Sequence, residues 1–354
     1  MFKGPIRLVL VLISMALLCT VSANPQHSSD YVSISDAPAR PLRVSVSMDN
    51  DLFAPGNSDK DYTAGLAVTF QDIQHNAFTS MLDRPLDTLD RLLMEPDDSV
   101  SFGFEVGSYG FTPDDIESRQ LDETDRPYAS IVYLSASRYY QQPGTDGFWT
   151  SALTAGLLGV DVFKRGQDAV HSLITGDEAR GWDRQISEGG ELTARYQLAY
   201  HDPLGDADPD HQLKASYFGS VGYLTEAGVA LSFRRGLISS PDYRFNPAIT
   251  SYGEQTNASG AGSGGMESYF WGGAGLKARV YNAFLEGQFR NSEHTISRSK
   301  LRPVIAEVWA GYTLSLLEDT KLSYVFRAHS SEIRQGAGDR NLMWGGFVLS
   351  TVLD

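Results

Sequence analysis

The fold is decided by residues 42–70, LRVSVSMDNDLFAPGNSDKDYTAGLAVTF. Apolar and polar residues alternate along 42–49 and again along 61–70, and a loop rich in Pro, Gly, Asn, Ser and Asp separates the two runs. Because side chains alternate between the two faces of a β-strand, this pattern predicts two strands joined as a hairpin. The hairpin would bring Asp51 and Thr63 towards one another at one of its ends.

One face of the predicted hairpin is apolar and the other is polar. The apolar positions are Leu42, Val44, Val46, Met48, Tyr62, Ala64, Leu66, Val68 and Phe70. We interpret the apolar face as facing lipid and the polar face as lining a barrel, because transmembrane strands alternate in this way. The amide and acid at the rim, Asn50 and Asp51, would then belong to an active site.

The first residues carry the features of a secretory signal peptide, which we assign to residues 1–23. Lys3 and Arg7 supply the positive start, residues 8–18 the apolar middle, and residues 21–23 a cleavage site of small residues. Residues 24–354 would form the mature barrel domain. The only cysteine, Cys19, lies in the signal, so the mature protein is expected to have no disulfide and no thiolate metal site.

The composition of the remaining chain is compatible with a membrane protein built from strands. No run of about 18 apolar residues follows the signal, which excludes a transmembrane helix. Barrel strands alternate, so a mean hydropathy of -0.24 does not exclude a barrel, and 34 Gly, 17 Tyr and 17 Phe favour strands, turns and aromatic girdles. A periplasmic β-sandwich is the alternative. The net charge of -15 argues against nucleic acid as a partner.

The sequence contains thirteen strand-like segments, one of which is 283–289. Single-chain bacterial barrels have an even number of strands, so we expect twelve. Residues 281–282 and 318–319 are interpreted as tight turns, and 239–265 as a flexible loop facing outward. Residues 77–95 have helical spacing broken at Pro85. The predicted fold is therefore an all-β, transmembrane, antiparallel up-and-down barrel of about twelve strands with short helical pieces in its loops.

The alternation disappears over residues 160–190, and long irregular stretches in compact folds are usually functional. Gln167 and His171 are four residues apart, which would place them on one face of a short helix. An imidazole near a carboxylate can act as a general base near neutral pH. Each candidate also has a structural interpretation: His171 as a surface residue, Asn50 and Asp51 as a strand-ending turn, and Thr63 as an ordinary strand residue.

Several short motifs occur along the chain in a fixed order. They are Asn50-Asp51, Asp61-Tyr62-Thr63-Ala64-Gly65, Asp125-Arg126-Pro127-Tyr128-Ala129, Gln167 with Val170-His171 leading to Gly181-Trp182-Asp183, and Tyr281-Asn282-Ala283-Phe284-Leu285-Glu286-Gly287. In this combination the chain resembles the outer-membrane lipid A 3′-O-deacylase family from about residue 42 to residue 353.

The resemblance implies a calcium-dependent esterase of the bacterial outer membrane. The enzyme would act on lipid A of lipopolysaccharide, as a monomer embedded in the membrane, and remove the 3′-linked acyloxyacyl group. His171 matches the family's general base, which would activate a water molecule, and its acidic partner falls at Asp177 or Glu178. Asn50, Asp51 and Thr63 match polar site residues, and Asp51 would be a calcium ligand. Oxygen ligands also suit magnesium, so the ion stays open.

Two further points bear on this interpretation. The alternative function is a non-enzymatic pore or structural barrel, which would gain nothing from an insertion that carries a histidine. The chain also ends in Val352-Leu353-Asp354, without the terminal aromatic residue common in outer-membrane barrels. The cationic residues of the 160–190 stretch could meet lipid A phosphates or form a solvated loop face; they are Lys164, Arg165, Arg180 and Arg184.

Overall fold

The computed structural model describes residues 41–353 apart from 56–60, 74–75, 95–100, 117, 119–120, 143, 161–180, 209 and 256–264. Twelve antiparallel strands form a closed barrel in which each strand pairs with its neighbours in sequence and β12 pairs with β1. This confirms the predicted fold class and strand number. The predicted signal peptide, 1–23, lies outside the described residues.

The strands are β1 (Leu42–Asn50), β2 (Asp61–Gln71), β3 (Ser101–Thr112), β4 (Ala129–Gln141), β5 (Phe148–Leu158), β6 (Glu191–Asp208), β7 (His211–Gly222), β8 (Leu224–Leu237), β9 (Ser268–Asn282), β10 (Val304–Leu317), β11 (Thr320–His329) and β12 (Leu342–Leu353). Two α-helices are α1 (Ala77–Leu93) and α2 (Ala283–Glu286). Short 3-10 turns cover Asp51–Phe53, Trp182–Arg184, Asp242–Arg244, Pro247–Ile249 and Arg298–Lys300. Among the described residues, no helix combines the length and the apolarity needed to cross a bilayer.

The barrel wall has an apolar outer face and a polar inner face. In β1 the polar residues Arg43, Ser45 and Asp49 are buried towards the lumen, whereas Val46 and Met48 are 43% and 49% exposed on the outside. Leu42 pairs with Leu353, so the start of β1 and the end of β12 lie at one end of the barrel, which we call the termini end. Asn50 lies at the opposite end, the far end. The predicted lipid-facing alternation of β1 is confirmed.

The prediction of a strand over 283–289 is wrong, and so is the tight turn at 281–282. Strand β9 continues through Asn282, whose side-chain oxygen accepts a hydrogen bond from the Phe284 backbone N–H at 3.0 Å. Such an N-cap starts a helix, and α2 follows. The run of apolar residues in α2 suggested a strand of the wall. In the structure these residues are instead buried at the end of the barrel.

Helix α1 is continuous through Pro85, so the prediction of separate helical pieces is wrong. The helix packs on the outside of the wall. Tyr139 stacks on Tyr243, a residue of the lumen, with ring centroids 4.2 Å apart, so the neighbouring Arg138 points outward. Arg138 contacts α1 there, and this docking stabilises the helix despite the backbone hydrogen bond that Pro85 removes.

Arg138 is a charged residue on the outer face of a barrel, where an uncovered arginine costs about 2–4 kcal/mol at the bilayer midplane. Helix α1 covers it and supplies two carboxylates. The Arg138 guanidinium donates to Asp83 at 2.5 Å and also to Asp87. Burial of Asp87 alone would raise its pKa, but hydrogen bonds from Arg91 and Arg138 outweigh burial, so its pKa is lowered.

The lumen is filled by residues 238–255, which we call the lumen segment. At the termini end its Arg244 donates to Asp72 at 2.7 Å, and at the far end its Tyr252 hydroxyl donates to Glu332 at 3.3 Å. The segment therefore crosses the whole barrel. The prediction of a flexible, outward-facing loop over 239–265 is wrong for its described part, because the connection leaves and re-enters the wall at the termini end.

We predict that the carboxylates of α1 are needed to keep Arg138 in the wall. The Asp83→Ala/Asp87→Ala variant leaves that cation without its partners, and its free energy of unfolding should fall by about 3–5 kcal/mol. Adding Arg138→Leu should restore most of the loss. Urea unfolding in lipid vesicles measures both, with the exposed Asp146→Ala as control. A triple variant as unstable as the double variant would contradict this account.

Candidate functional site

Three of the predicted site residues lie close together at the far end. The register of β1 and β2 pairs Asp49 with Gly65; Asp51 follows Asp49 by two residues and Thr63 precedes Gly65 by two, so both lie on the side of this pair towards the far end. Asn50 is the last residue of β1. The structure therefore brings Asn50, Asp51 and Thr63 to one rim of the barrel, as the hairpin prediction required.

The chain turns sharply at Asn50 and Asp51. The Asn50 side-chain oxygen accepts a hydrogen bond from the Leu52 N–H at 2.7 Å, which begins the 3-10 turn Asp51–Phe53. This turn packs over β12, where a Cβ added to Gly345 would lie 2.4 Å from the Phe53 carbonyl oxygen. The turn buries the Asp51 side chain completely, at 0% exposure. A carboxylate is thus fixed inside the rim.

Thr63 is placed by a β-bulge in β2. Thr63 pairs with Gly110 and Leu66 with Ser108, so Ala64 and Gly65 together face one residue of β3. Ala64 has a φ of 50°, a left-handed conformation that is uncommon for a residue with a side chain. Bulges of this kind occur beside active sites, where they redirect a side chain.

The bulge reverses the faces of β2 on either side of it. Tyr62 lies in the aromatic cluster of the lumen, so its predicted place on the lipid-facing side is wrong. Thr63, the next residue, points to the outer face, so its predicted place on the polar, lumen-lining side is also wrong; it is nevertheless only 2% exposed. Alternation alone could not show this, because the one extra residue of the bulge shifts the pattern by one position.

A small apolar cluster covers the outer wall beside Thr63. Tyr128 and Trp182 make an edge contact with ring centroids 5.0 Å apart, and Ala64 packs against them. A Cβ added to Gly181 would lie 2.3 Å from the Tyr128 ring, so the backbone at 181 lies directly on that ring. Two motifs that are far apart in sequence therefore meet next to the bulge.

The remaining predicted site residues, His171, Asp177 and Glu178, lie outside the described residues, as do Lys164, Arg165 and Arg180. Both described flanks of that stretch are attached to the start of β4. The Gly159 N–H donates to the Ser130 carbonyl at 2.9 Å, and the Ile186 N–H donates to the Tyr128 carbonyl at 2.8 Å. The described residues on both sides of 161–180 thus lie beside the wall that carries Thr63.

A network of buried charges supports the far end. Arg340 lies 2.7 Å from Asp61 and 2.6 Å from Asp125, and Arg126 donates to Glu332 at 2.7 Å. Arg126 is therefore paired with a buried acid. Arg340 was missed, because it lies in an irregular stretch and no local pattern marks its partners. These residues hold β2, the connection before β4 and the connection before β12 together.

Glu332, in the connection between β11 and β12, is the centre of that network. Burial alone would raise its pKa, but Arg279 and Arg126 outweigh burial and hold the pKa of Glu332 well below its usual range. Its carboxylate also accepts hydrogen bonds from Asn282 and from the lumen segment's Tyr252. Glu332 is therefore ionised and paired.

The donor set at the rim fits a hard cation. Within the described ranges, no group of three or more His, Cys, Asp or Glu residues is arranged to hold a metal. The rim carries the buried Asp51 carboxylate together with the neutral side-chain oxygens of Asn50 and Thr63. Calcium accepts such mixed sets, completed by backbone carbonyls and water, whereas zinc prefers nitrogen and sulfur.

A closed barrel of even strand number, with an apolar outside, a filled polar lumen and a buried polar rim, defines an integral β-barrel protein of a bacterial outer membrane. Comparison with known proteins gives the family. The chain belongs to the family described as outer membrane protein LpxR, whose sequence model matches residues 10–353. The protein is accordingly located in the bacterial outer membrane and embedded there.

Among solved structures, the barrel is similar to LpxR from Salmonella typhimurium, with a TM-score of 0.67 and 14% identity over 87% of this chain and 99% of that chain. An outer membrane channel from Pseudomonas putida F1 has a TM-score of 0.44 and 9% identity over 92% of this chain and 100% of its own. The β domain of the Bordetella autotransporter BrkA has a TM-score of 0.38 and 11% identity over 89% of this chain and 99% of its own. No curated protein matches the chain.

We predict that the stability of the far end depends on the ionisation of Glu332. Because its pKa is lowered by folding, its contribution is present above the unfolded value of about 4.3 and is lost as the pH falls towards the native pKa. Glu332→Gln should cost about 3–5 kcal/mol at pH 7 and flatten the loss of stability at acidic pH. Urea unfolding at several pH values tests this against the exposed Glu188→Gln, and equal acid sensitivity of Glu332→Gln and wild type would refute it.

Proposed function

We propose that the protein is a calcium-dependent esterase that removes the 3′-linked acyloxyacyl group from lipid A by means of water activated at His171. The observation that carries the proposal is the bulge in β2. It places Thr63 on the outer side of the wall, buried, beside the points where the His171-bearing stretch joins the barrel. Membership of the LpxR outer membrane protein family supports the same conclusion.

The position of the site favours a lipid substrate. Lipid A is itself a component of a membrane leaflet, so its ester bonds approach the barrel from the outside. A site on the outer face can receive such an ester directly, whereas a solute crossing the lumen would meet the lumen segment. The alternative function, a passive pore, requires an open lumen, and the described residues 238–255 fill it.

In the proposed reaction, the neutral imidazole of His171 takes a proton from water, and the resulting hydroxide attacks the ester carbonyl. Asp177 or Glu178 would stabilise the imidazolium, which then returns the proton to the departing lipid A hydroxyl. Asn50 and Thr63 would orient the water or the ester, and Asp51 would hold the cation. When bound, calcium would supply positive charge to the developing oxyanion.

The same proposal assigns roles to the cations of the 160–190 stretch and to the oligomeric state. Arginine binds phosphate bidentately, so the half-buried Arg184, which follows Trp182, would meet a lipid A phosphate together with the other basic residues of this stretch. All residues invoked come from one chain, and the closed barrel leaves no strand edge for pairing. The enzyme would therefore act as a monomer.

We predict that His171→Ala abolishes the change in lipid A while the barrel still folds. Loss of a general base should reduce the rate by about 10²–10⁴-fold. Mass spectrometry of lipid A from cells expressing the wild type should show loss of the acyloxyacyl group, and lipid A from His171→Ala cells should keep it. The exposed His211→Ala is the matched control. Equal activity of the His171→Ala variant and the wild type would overturn the mechanism.

We predict a requirement for calcium that depends on Asp51. Chelation should stop the activity of the purified protein, and calcium should restore it better than magnesium, because magnesium demands stricter geometry. Asp51→Asn should shift the calcium dependence to higher concentration, since one ligand charge is lost. Activity and the calcium-dependent rise in unfolding temperature are measured together. Full activity in chelator would exclude this role for the cation.

A further inference from the structure

Helix α1 presents an apolar stripe away from the barrel. Met81, Pro85, Leu89 and Leu92 recur at helical spacing on one side of the helix, which we call the α1 outer stripe. Met81 is 64% exposed and Leu92 is 75% exposed. Nothing within the described residues covers these two side chains, so the stripe faces whatever surrounds the wall.

The opposite side of α1 is fixed to the wall by buried polar contacts. Asp90 accepts hydrogen bonds from Tyr140 at 2.7 Å, Ser151 at 2.8 Å and Tyr196 at 2.7 Å. Leu86 is buried against Phe102 and Ala136 of the wall. Because α1 is anchored on strands β4, β5 and β6, its orientation is set, and the outer stripe has a defined direction.

The strands on either side of α1 expose apolar residues to the surroundings. Leu66 of β2 and Tyr217 of β7 are exposed on the outer wall. In an outer-membrane barrel this outer surface contacts lipid. Helix α1 covers part of that surface, and its outer stripe presents apolar side chains to the surroundings in place of the covered wall. The stripe is thus continuous with the lipid-facing surface of the barrel.

An aromatic pair marks the level of α1 along the barrel. Trp149 and Tyr200 pair across β5 and β6 with ring centroids 5.0 Å apart. Trp149 lies two residues from Ser151, on the same face and nearer the termini end. Trp and Tyr are enriched at membrane–water boundaries. This places α1 next to the boundary at the termini end.

Two exposed arginines flank the outer stripe. Arg84 and Arg91 lie along one edge of it, and Arg91 is also paired with Asp87 at 2.9 Å. A helix that combines an apolar face with arginines at its edge is typical of segments that lie in the interface of a bilayer. The arginines suit the phosphates of phospholipid headgroups.

We propose that α1 is an interfacial membrane anchor that binds the phospholipid leaflet at the termini end. The outer stripe lies at the boundary of the acyl chains, and Arg84 and Arg91 contact headgroup phosphates. The anchor fixes the height of the barrel in the bilayer from the end opposite the candidate site. The inference requires only that the protein is embedded in a membrane, so it is independent of the proposed esterase activity.

The test uses single cysteines in the full-length protein with Cys19, the only native cysteine, replaced by serine. Leu92→Cys reports on the stripe, Leu349→Cys on the middle of the lipid-facing wall, and Leu121→Cys on an exposed loop at the far end. Each variant is labelled with a fluorophore and reconstituted in phosphatidylethanolamine–phosphatidylglycerol vesicles. The vesicles contain lipids that carry a quenching nitroxide at either a shallow or a deep position in the bilayer.

We expect the label at residue 92 to be quenched at least about threefold more than the label at 121, and more by shallow than by deep nitroxides. The label at 349 should show the reverse depth preference. Quenching at 92 no greater than at 121 would overturn the proposal. Quenching at 92 that is low at high protein concentration and rises on dilution would also overturn it, because a second copy of the protein would then cover residue 92.

The headgroup contact is tested separately. Replacing phosphatidylglycerol by phosphatidylcholine should reduce shallow quenching at residue 92, because the arginines lose anionic partners. In the Arg84→Gln/Arg91→Gln variant the same change of lipid should have no effect. An equal response of the variant and of the parent protein would remove the arginines from the proposed contact.

Discussion

The pairing of β12 with β1 is the interaction on which the structure depends. In a bilayer, an unpaired strand edge leaves N–H and C=O groups without water, and each such group costs several kcal/mol. The pairs that run from Leu42 with Leu353 to Asn50 with Gly345 remove this edge. Closure also divides the surroundings of every strand into lipid and lumen, which is why polar and apolar residues alternate. The rim site, the lumen segment and the docked helix are all arranged on this closed wall.

Several charges in the lumen are tolerated because an opposite charge lies at short range. Lys321 lies 2.6 Å from Glu267, and Arg279 lies 2.7 Å from Glu226. A charge buried without such a partner would cost several kcal/mol, so these pairs constrain which strands are neighbours. The same rule operates outside the wall, where α1 neutralises Arg138. The polar lumen thus contributes to the uniqueness of the fold as well as to filling its interior.

Alternation predicted most of the wall, because each strand residue experiences only two environments. Alternation failed as a predictor where residues do not lie in a regular strand between lipid and lumen. The bulge at Ala64 shifts the pattern by one position, so Tyr62 enters the lumen. The apolar residues of α2 are buried at the barrel end, and Pro85 remains in a helix because the wall supports its neighbours. For the site, the hairpin placed Asn50, Asp51 and Thr63 at one rim from sequence alone. The partners of Arg340 are far apart in sequence, and no local pattern indicates them.

Strand β8 ends and β9 begins at the same end of the barrel, and the lumen segment enters the lumen from that end. The lumen segment is therefore a plug whose connections to β8 and β9 both lie at one end of the barrel. Such a plug can enter the barrel after the strands have closed, and it can leave without breaking any hydrogen bond between strands. Sealing of the cylinder and filling of its bore are therefore topologically separable events in the biogenesis of this protein.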